Sequence, residues 1–267
     1  MIAKPVAFLQ RDLRIAASYR VTFLQGLVTM LLGLVTINFV ARLVDQGAPA
    51  ELAPYGNDYF GYALIGVSFA LFAQSVSGRF SSVVRSAQVT GTLEVMLSNR
   101  TSLPTFLACS SLYGLAFGVV RLVLTLVLGA TLLGADLRAD QAATALAVFL
   151  LTTATFAGLG ILAAAFVLRF KQPEPLTSAL TTVSLVVSGV LYPTTVLPGW
   201  LESLAPLLPL THTMSALRSA LLEGSSTVSV GSDLLVLAGF AALLPLSLFA
   251  FEAAVRQAKA AGSLSHY

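Results

Sequence analysis

Residues 21–41 read VTFLQGLVTMLLGLVTINFVA, twenty-one positions without a charge. A helix needs about 20 apolar residues to cross the hydrocarbon core of a bilayer, so this stretch is expected to span a membrane. Charge-free runs of similar length recur along the rest of the chain. They cover Tyr59–Gly78, Thr101–Ala135 (broken only by Arg121), Gln141–Leu168, Pro175–Leu201 and Leu234–Phe251. A further run, Ser203–Leu217, is too short to cross. The runs predict an all-α polytopic membrane protein with six transmembrane helices, forming one domain over residues 1–267. Composition agrees: 57% of residues are hydrophobic and 10% charged, where soluble domains carry about 25% charged residues. So apolar a chain needs lipid as part of its solvent.

Several chemistries are disfavoured by inspection. The chain contains no G-x-x-x-x-G-K-[ST] loop, so it is not expected to hydrolyse ATP by that route. Cys109 is the sole cysteine and the two histidines are far from it, which gives no basis for a disulfide or a metal site. The net charge of +3 reflects where the basic residues sit and does not suggest a nucleic-acid surface. Lys4, Arg11, Asp12, Arg14 and Arg20 interrupt the first twenty residues, so these are not expected to be a cleavable signal.

Orientation follows from loop arginines and lysines. With the N-terminus in the cytoplasm, the inner segments hold Lys4, Arg11, Arg14, Arg20, Arg79, Arg85, Arg100, Arg169, Lys171, Arg256 and Lys259. The outer loops hold only Arg42, Arg138 and Arg218. Six spans then place both termini in the cytoplasm of a multi-pass inner (cell) membrane protein. Within residues 1–20, Val6, Leu9, Leu13, Ala16 and Ala17 share one helical face, with Lys4, Arg11 and Arg14 opposite; this predicts an interfacial amphipathic helix. Pro193, Pro198, Pro206 and Pro209 break an otherwise apolar stretch, so residues 192–218 are expected to form an outer re-entrant helical hairpin.

Asp, Glu and His are absent from the middle of every expected span, which argues against a proton relay. Arg121 is the single deep charge in this reading. Gly114, Gly118, Arg121 and Thr125 share one helical face, and the small residues allow a neighbouring helix to approach. Arg121 is therefore expected to face protein or a cavity, where it could meet an anionic substrate group, form a gating pair, or hold backbone carbonyls. On the cytoplasmic side, residues 85–98 carry an apolar stripe of Val89, Leu93, Met96 and Leu97 with Glu94 turned away. This pattern suits a short amphipathic helix that inserts into a partner's groove.

Gly91-Thr92-Leu93-Glu94 followed by Met96-Leu97 resembles the G-T-L-E-x-L-L signature of type-2 ABC export (ABC-2 type) permeases. A second block is similar to the family pattern before its last span: Ser188-Gly189-Val190-Leu191-Tyr192-Pro193, then Leu197-Pro198-Gly199-Trp200-Leu201, then Leu208-Pro209-Leu210-Thr211-His212 and Leu217-Arg218. The resemblance implies that 85–98 is a coupling helix docking on a separate ATPase subunit through Arg85, Gln88, Gly91, Thr92, Leu93 and Glu94. It implies two permease copies and two ATPase subunits, with ATP and Mg bound by the latter and no cofactor in this chain. It implies a substrate pathway or external gate drawing on Arg121, Tyr192, Pro193, Pro198 and Trp200, with no catalytic residue and no metal. The cargo expected is an amphipathic drug-like or lipid-like molecule, or a lipid-linked glycan or polysaccharide. A secondary, ion-coupled transporter is the alternative, with Arg121 as its lone deep candidate for coupling. A membrane-embedded enzyme finds no support in His212 or His266, neither of which has an evident catalytic partner in the sequence.

Overall fold

The computed structural model describes residues 10, 14, 20–47, 52, 58–91, 103–170, 175–224, 227 and 229–260. Gln10 and Arg14 are helical; the rest of the expected surface helix before Arg20 lies outside the described residues. The chain is all-helical among these. The long helices are α1 (Arg20–Asp45), α2 (Tyr59–Val89), α3 (Leu103–Leu133) and α4 (Ala142–Phe170). Next come α5 (Pro175–Val187), the four-residue α6 (Gly199–Glu202) set between two single 3₁₀ turns, α7 (Pro209–Leu221), α8 (Gly231–Ala241) and α9 (Leu243–Ala260).

Among the described residues, five helices are long and apolar enough to cross a membrane: Leu24–Asp45, Tyr59–Val89, Leu107–Leu133, Ala142–Leu168 and the nearly continuous Gly231–Gln257. The break at Ala242 has a plain cause. Pro245 has no N–H to give the carbonyl of Ala241, so α8 ends and α9 restarts there. The expected fifth span is different. Helix α5 has 13 residues, a rise of about 20 Å, short of the ~30 Å hydrocarbon thickness. It stops at Ser188-Gly189, where Gly189 takes a φ of +72°, a conformation that costs glycine nothing and other residues a good deal.

Helix α2 also departs from the sequence reading. The apolar run ends at Gly78, but the helix continues to Val89. Asp58 Oδ1 accepts from Gly61 N at 2.9 Å and caps its start. Its end is a glycine cap: Thr90 N donates to Ser86 O, Gly91 N donates to Gln88 O, and Gly91 has a φ of +66°. Arg79 therefore lies on a continuous helix and not in a loop after it.

Helix α2 is the centre of the domain. Its most apolar window is 78% buried, against 17% for α1 and 11% for α3. It packs between α3 and α4, and α4 in turn carries α7, α8 and α9. Phe69, Phe72, Val76 and Phe80 of α2 meet Phe156 and Ile161 of α4 and Leu210, Met214 and Leu217 of α7 in one core. Close approach depends on Gly160 of α4, where a Cβ would run into the Ser77 backbone. Helix α1 lies at the edge, with Leu34 and Ala41 against Phe60 and Leu64. The apolar faces of α1 and α3 are left for lipid or another chain.

Candidate functional site

Two regions carry the polar chemistry of this membrane domain. The first surrounds Arg218, which is 2% exposed. Its Nη1 donates to Gly189 O at 2.8 Å, and its Nη2 donates to Val190 O at 2.9 Å and Tyr62 O at 3.2 Å. The guanidinium carbon lies 3.4 Å from the centroid of the Tyr62 ring, a cation–π contact. The Tyr62 hydroxyl donates to the same Gly189 carbonyl at 3.1 Å. Three elements meet here: α2, the break after α5, and α7. The geometry depends on Gly66, where a Cβ would strike the Val190 carbonyl and Arg218 Nη2.

Beyond this clamp, where an outer re-entrant hairpin was expected, the chain runs through short turns between α5 and α7. Pro193 opens a 3₁₀ turn over Thr194–Val196, and Pro198 precedes α6. The Tyr192 hydroxyl donates to Val186 O at 2.8 Å and folds the turn back on the end of α5. Trp200 is 69% exposed, as suits an aromatic side chain at a membrane interface. His212 ties the hairpin to the final span: Nδ1 lies 2.8 Å from Asp233 Oδ1 and Nε2 lies 2.9 Å from Pro206 O. The sequence reading gave His212 no partner; the structure gives it Asp233, 21 residues on.

The second region is a cavity of about 470 Å³ between α1, α2 and α3. Its polar lining is Thr29, Ser68, Ser75, Arg79, Arg121 and Thr125; the rest is apolar, including Met30, Leu71, Phe72 and Phe117. The Arg79 guanidinium lies over Gly114, in the space a Cβ would need, and Ser75 and Phe72 lie against Gly118. The Gly114–Gly118 face thus packs on α2, and Arg121 opens onto the cavity as its spacing predicts. Neither Arg79 nor Arg121 has an ion-pair partner among the described residues.

At its C-terminal end, α2 takes in Arg85 and Gln88 as its closing turn rather than leaving them to open a separate helix. Arg85 Nη1 and Gln88 Oε1 are both buried with no hydrogen-bond partner. Thr92, Leu93 and Glu94, with the rest of the expected coupling helix to residue 98, lie outside the described residues. Among the described residues no cluster of three or more His, Cys, Asp and Glu side chains could hold a metal.

The family model of ABC-2 type transporters matches residues 6–222, which takes in the cavity, the α2 end, the hairpin and Arg218. The chain belongs to the ABC-2 type transporter family. A search of curated proteins finds no match. The chain is thus the multi-pass membrane component of an ABC-2 type transporter, a class of permease that works with ATPase subunits. Arg218 was read from the sequence as an outer-loop cation. The structure corrects this: it is a buried clamp. The signal was present, because Leu210, Met214, Leu217 and Leu221 form the apolar stripe of α7 and Arg218 falls on that stripe.

Proposed function

We propose that the chain is the permease subunit of an ATP-driven exporter in the inner (cell) membrane, with both termini in the cytoplasm. Two copies form the pathway, and two separate ATPase subunits, holding ATP and Mg, dock on the cytoplasmic side. The cargo is an amphipathic drug-like or lipid-like molecule, or a lipid-linked glycan or polysaccharide. Family membership carries this reading. The cytoplasmic end of α2 supports its coupling half. Buried polar atoms without partners are rare in folded proteins, and Arg85 and Gln88 supply two of them within one turn, next to the Gly91–Glu94 motif. The exposed apolar faces of α1 and α3 support its pathway half, since they suit contact with lipid, cargo or a second copy. The hairpin carrying Tyr192, Pro193, Pro198 and Trp200 is the external gate, hung from Arg218 and from His212–Asp233.

The test is reconstitution of the chain with its ATPase in proteoliposomes. Cargo movement is expected to require ATP, and the permease is expected to stimulate ATP hydrolysis. Glu94→Ala and Gly91→Pro should each lower that stimulation while leaving membrane insertion intact. Cargo movement by the permease alone, driven by an ion gradient, would overturn the reading in favour of a secondary transporter.

A further inference from the structure

The cavity between α1, α2 and α3 holds two guanidinium groups with no ion-pair partner among the described residues. Position fixes their relation. Arg79 lies over Gly114, and Arg121 is seven residues further along α3 on the same face, about 10 Å along the axis. Side chains on a helix lean toward its N-terminus, which turns Arg121 back toward Arg79. Arg79 is ten residues from the end of α2, about 15 Å from its cytoplasmic end. Arg121 is 12 residues from the outer end of α3, near the bilayer midplane. The two cations are therefore rungs at successive depths.

The hydroxyls around them are not equivalent. Thr29 donates to Gln25 O, Ser75 to Phe72 O and Thr125 to Arg121 O, so these three offer only lone pairs to the cavity. Ser68 Oγ is different: the residue is 5% exposed and its hydroxyl has no partner. The donors available to a guest are thus Arg79, Arg121 and Ser68, and every other wall is apolar or accepts. Donors of this kind select an anion, and the apolar walls at this depth select a hydrocarbon attached to it. The volume of about 470 Å³ falls in the ordinary range for small-molecule sites.

We infer that this cavity binds the anionic headgroup, a phosphate or carboxylate, of an amphiphile, first at Arg79 near the cytoplasmic leaflet and then at Arg121 and Ser68 near the midplane. The inference rests on the exporter reading for its direction, inner leaflet to outer. The binding itself does not depend on that reading.

Binding is measured on the purified full chain in neutral detergent, with no ATPase and no nucleotide. The probe is a short-chain fluorescent phosphatidate read by anisotropy. Saturable binding is expected, and the matching fluorescent diacylglycerol, which lacks the anion, is expected to bind far more weakly. The Arg79→Gln, Arg121→Gln double variant should weaken phosphatidate binding about tenfold or more. Arg138→Gln, on the outer loop, should leave it unchanged. If the double variant does not reach the membrane, the Arg79→Lys, Arg121→Lys pair keeps the charges and should retain preference for phosphatidate over diacylglycerol, and Ser68→Ala should weaken binding severalfold.

Equal binding of diacylglycerol, or wild-type binding by a folded double variant, would overturn the inference. Displacement of the probe by millimolar inorganic phosphate would overturn its amphiphile part and assign the site to a small hydrated anion. Lipid extraction of the purified chain distinguishes the two sources of an amphiphile. An anionic phospholipid carried by the wild type and lost from the double variant supports a resident lipid; an empty extract with binding of added phosphatidate supports cargo. Failure of ATP-driven transport with intact anion-selective binding would remove the exporter reading and leave the site.

Discussion

Arg218 and the Arg79–Arg121 pair are the same chemical group in the same apolar domain, yet the fold treats them oppositely. Arg218 is buried under Tyr62 and bonded to the carbonyls of Tyr62, Gly189 and Val190. Arg121 faces an open cavity with no ion-pair partner among the described residues. The difference lies in the backbone nearby. Helix α5 stops at Val187, so the carbonyls of Gly189 and Val190 have no helical N–H to accept from, and the guanidinium satisfies them. Helices α2 and α3 run unbroken past Arg79 and Arg121, so their carbonyls are already engaged. Arg218 meets two carbonyls freed by a helix end, besides one within α2; Arg79 and Arg121 stand on unbroken stretches of helix.

The sharpest way to break this contrast is to remove the clamp. Arg218→Ala strands the Val190 carbonyl, at about 1–3 kcal/mol, and leaves the Gly189 carbonyl with only the Tyr62 hydroxyl. Gly66→Ala should be comparably damaging, because the added Cβ meets backbone at Val190 rather than a movable side chain. Both variants are expected to lower the thermal melting point of the detergent-purified chain strongly, read by size-exclusion after heating. A wild-type melting curve for Arg218→Ala would show that the outer hairpin is held some other way.

Arg121→Leu tests the other side of the comparison and has the opposite sign. An arginine at the centre of a span costs about 2.5–3.5 kcal/mol on insertion scales, and leucine there is favourable. The variant should insert at least as well as the wild type and melt no earlier, while losing anion binding. A fall in melting point matching that of Arg218→Ala would mean Arg121 is a structural clamp too, and the distinction would collapse.

The contrast also explains what could be read from the chain in advance. Apolar runs mark spans because hydrocarbon demands about 20 uncharged residues in a row, and α1, α3 and α4 follow them closely. The face of Arg121 was legible because Gly114, Gly118 and Thr125 repeat at helical spacing. Arg79 was misplaced because the first charge after an apolar run looks like the membrane boundary. The helix continues beyond it because Arg79 finds room over Gly114 on a neighbouring helix, a relation across 35 positions that spacing along one helix does not carry. Arg218 was misplaced for a related reason. Its partners are carbonyls 28, 29 and 156 residues away, and a carbonyl leaves no mark on the residue type that bears it. The break after α5 was not legible because a charge-free run does not reveal that Gly189 takes a left-handed conformation in the middle of it. Both misplaced arginines were counted in the topology, and the inside bias survives their removal.

The smallest expected effect separates what Tyr62 contributes to the clamp. Tyr62→Phe keeps the ring under the guanidinium and the backbone carbonyl, and deletes only the hydroxyl bond to Gly189. That carbonyl still accepts from Arg218, so no acceptor is stranded, and the loss should be about 1 kcal/mol or less. Tyr62→Leu also removes the ring face, which for a desolvated guanidinium is worth about 2 kcal/mol. Phenylalanine should therefore melt close to the wild type and leucine clearly below it. If the two variants melt together well below the wild type, the hydroxyl is what keeps the Gly189 carbonyl in range of Arg218. The clamp would then be positioned from α2, and the end of α5 would follow it rather than set it.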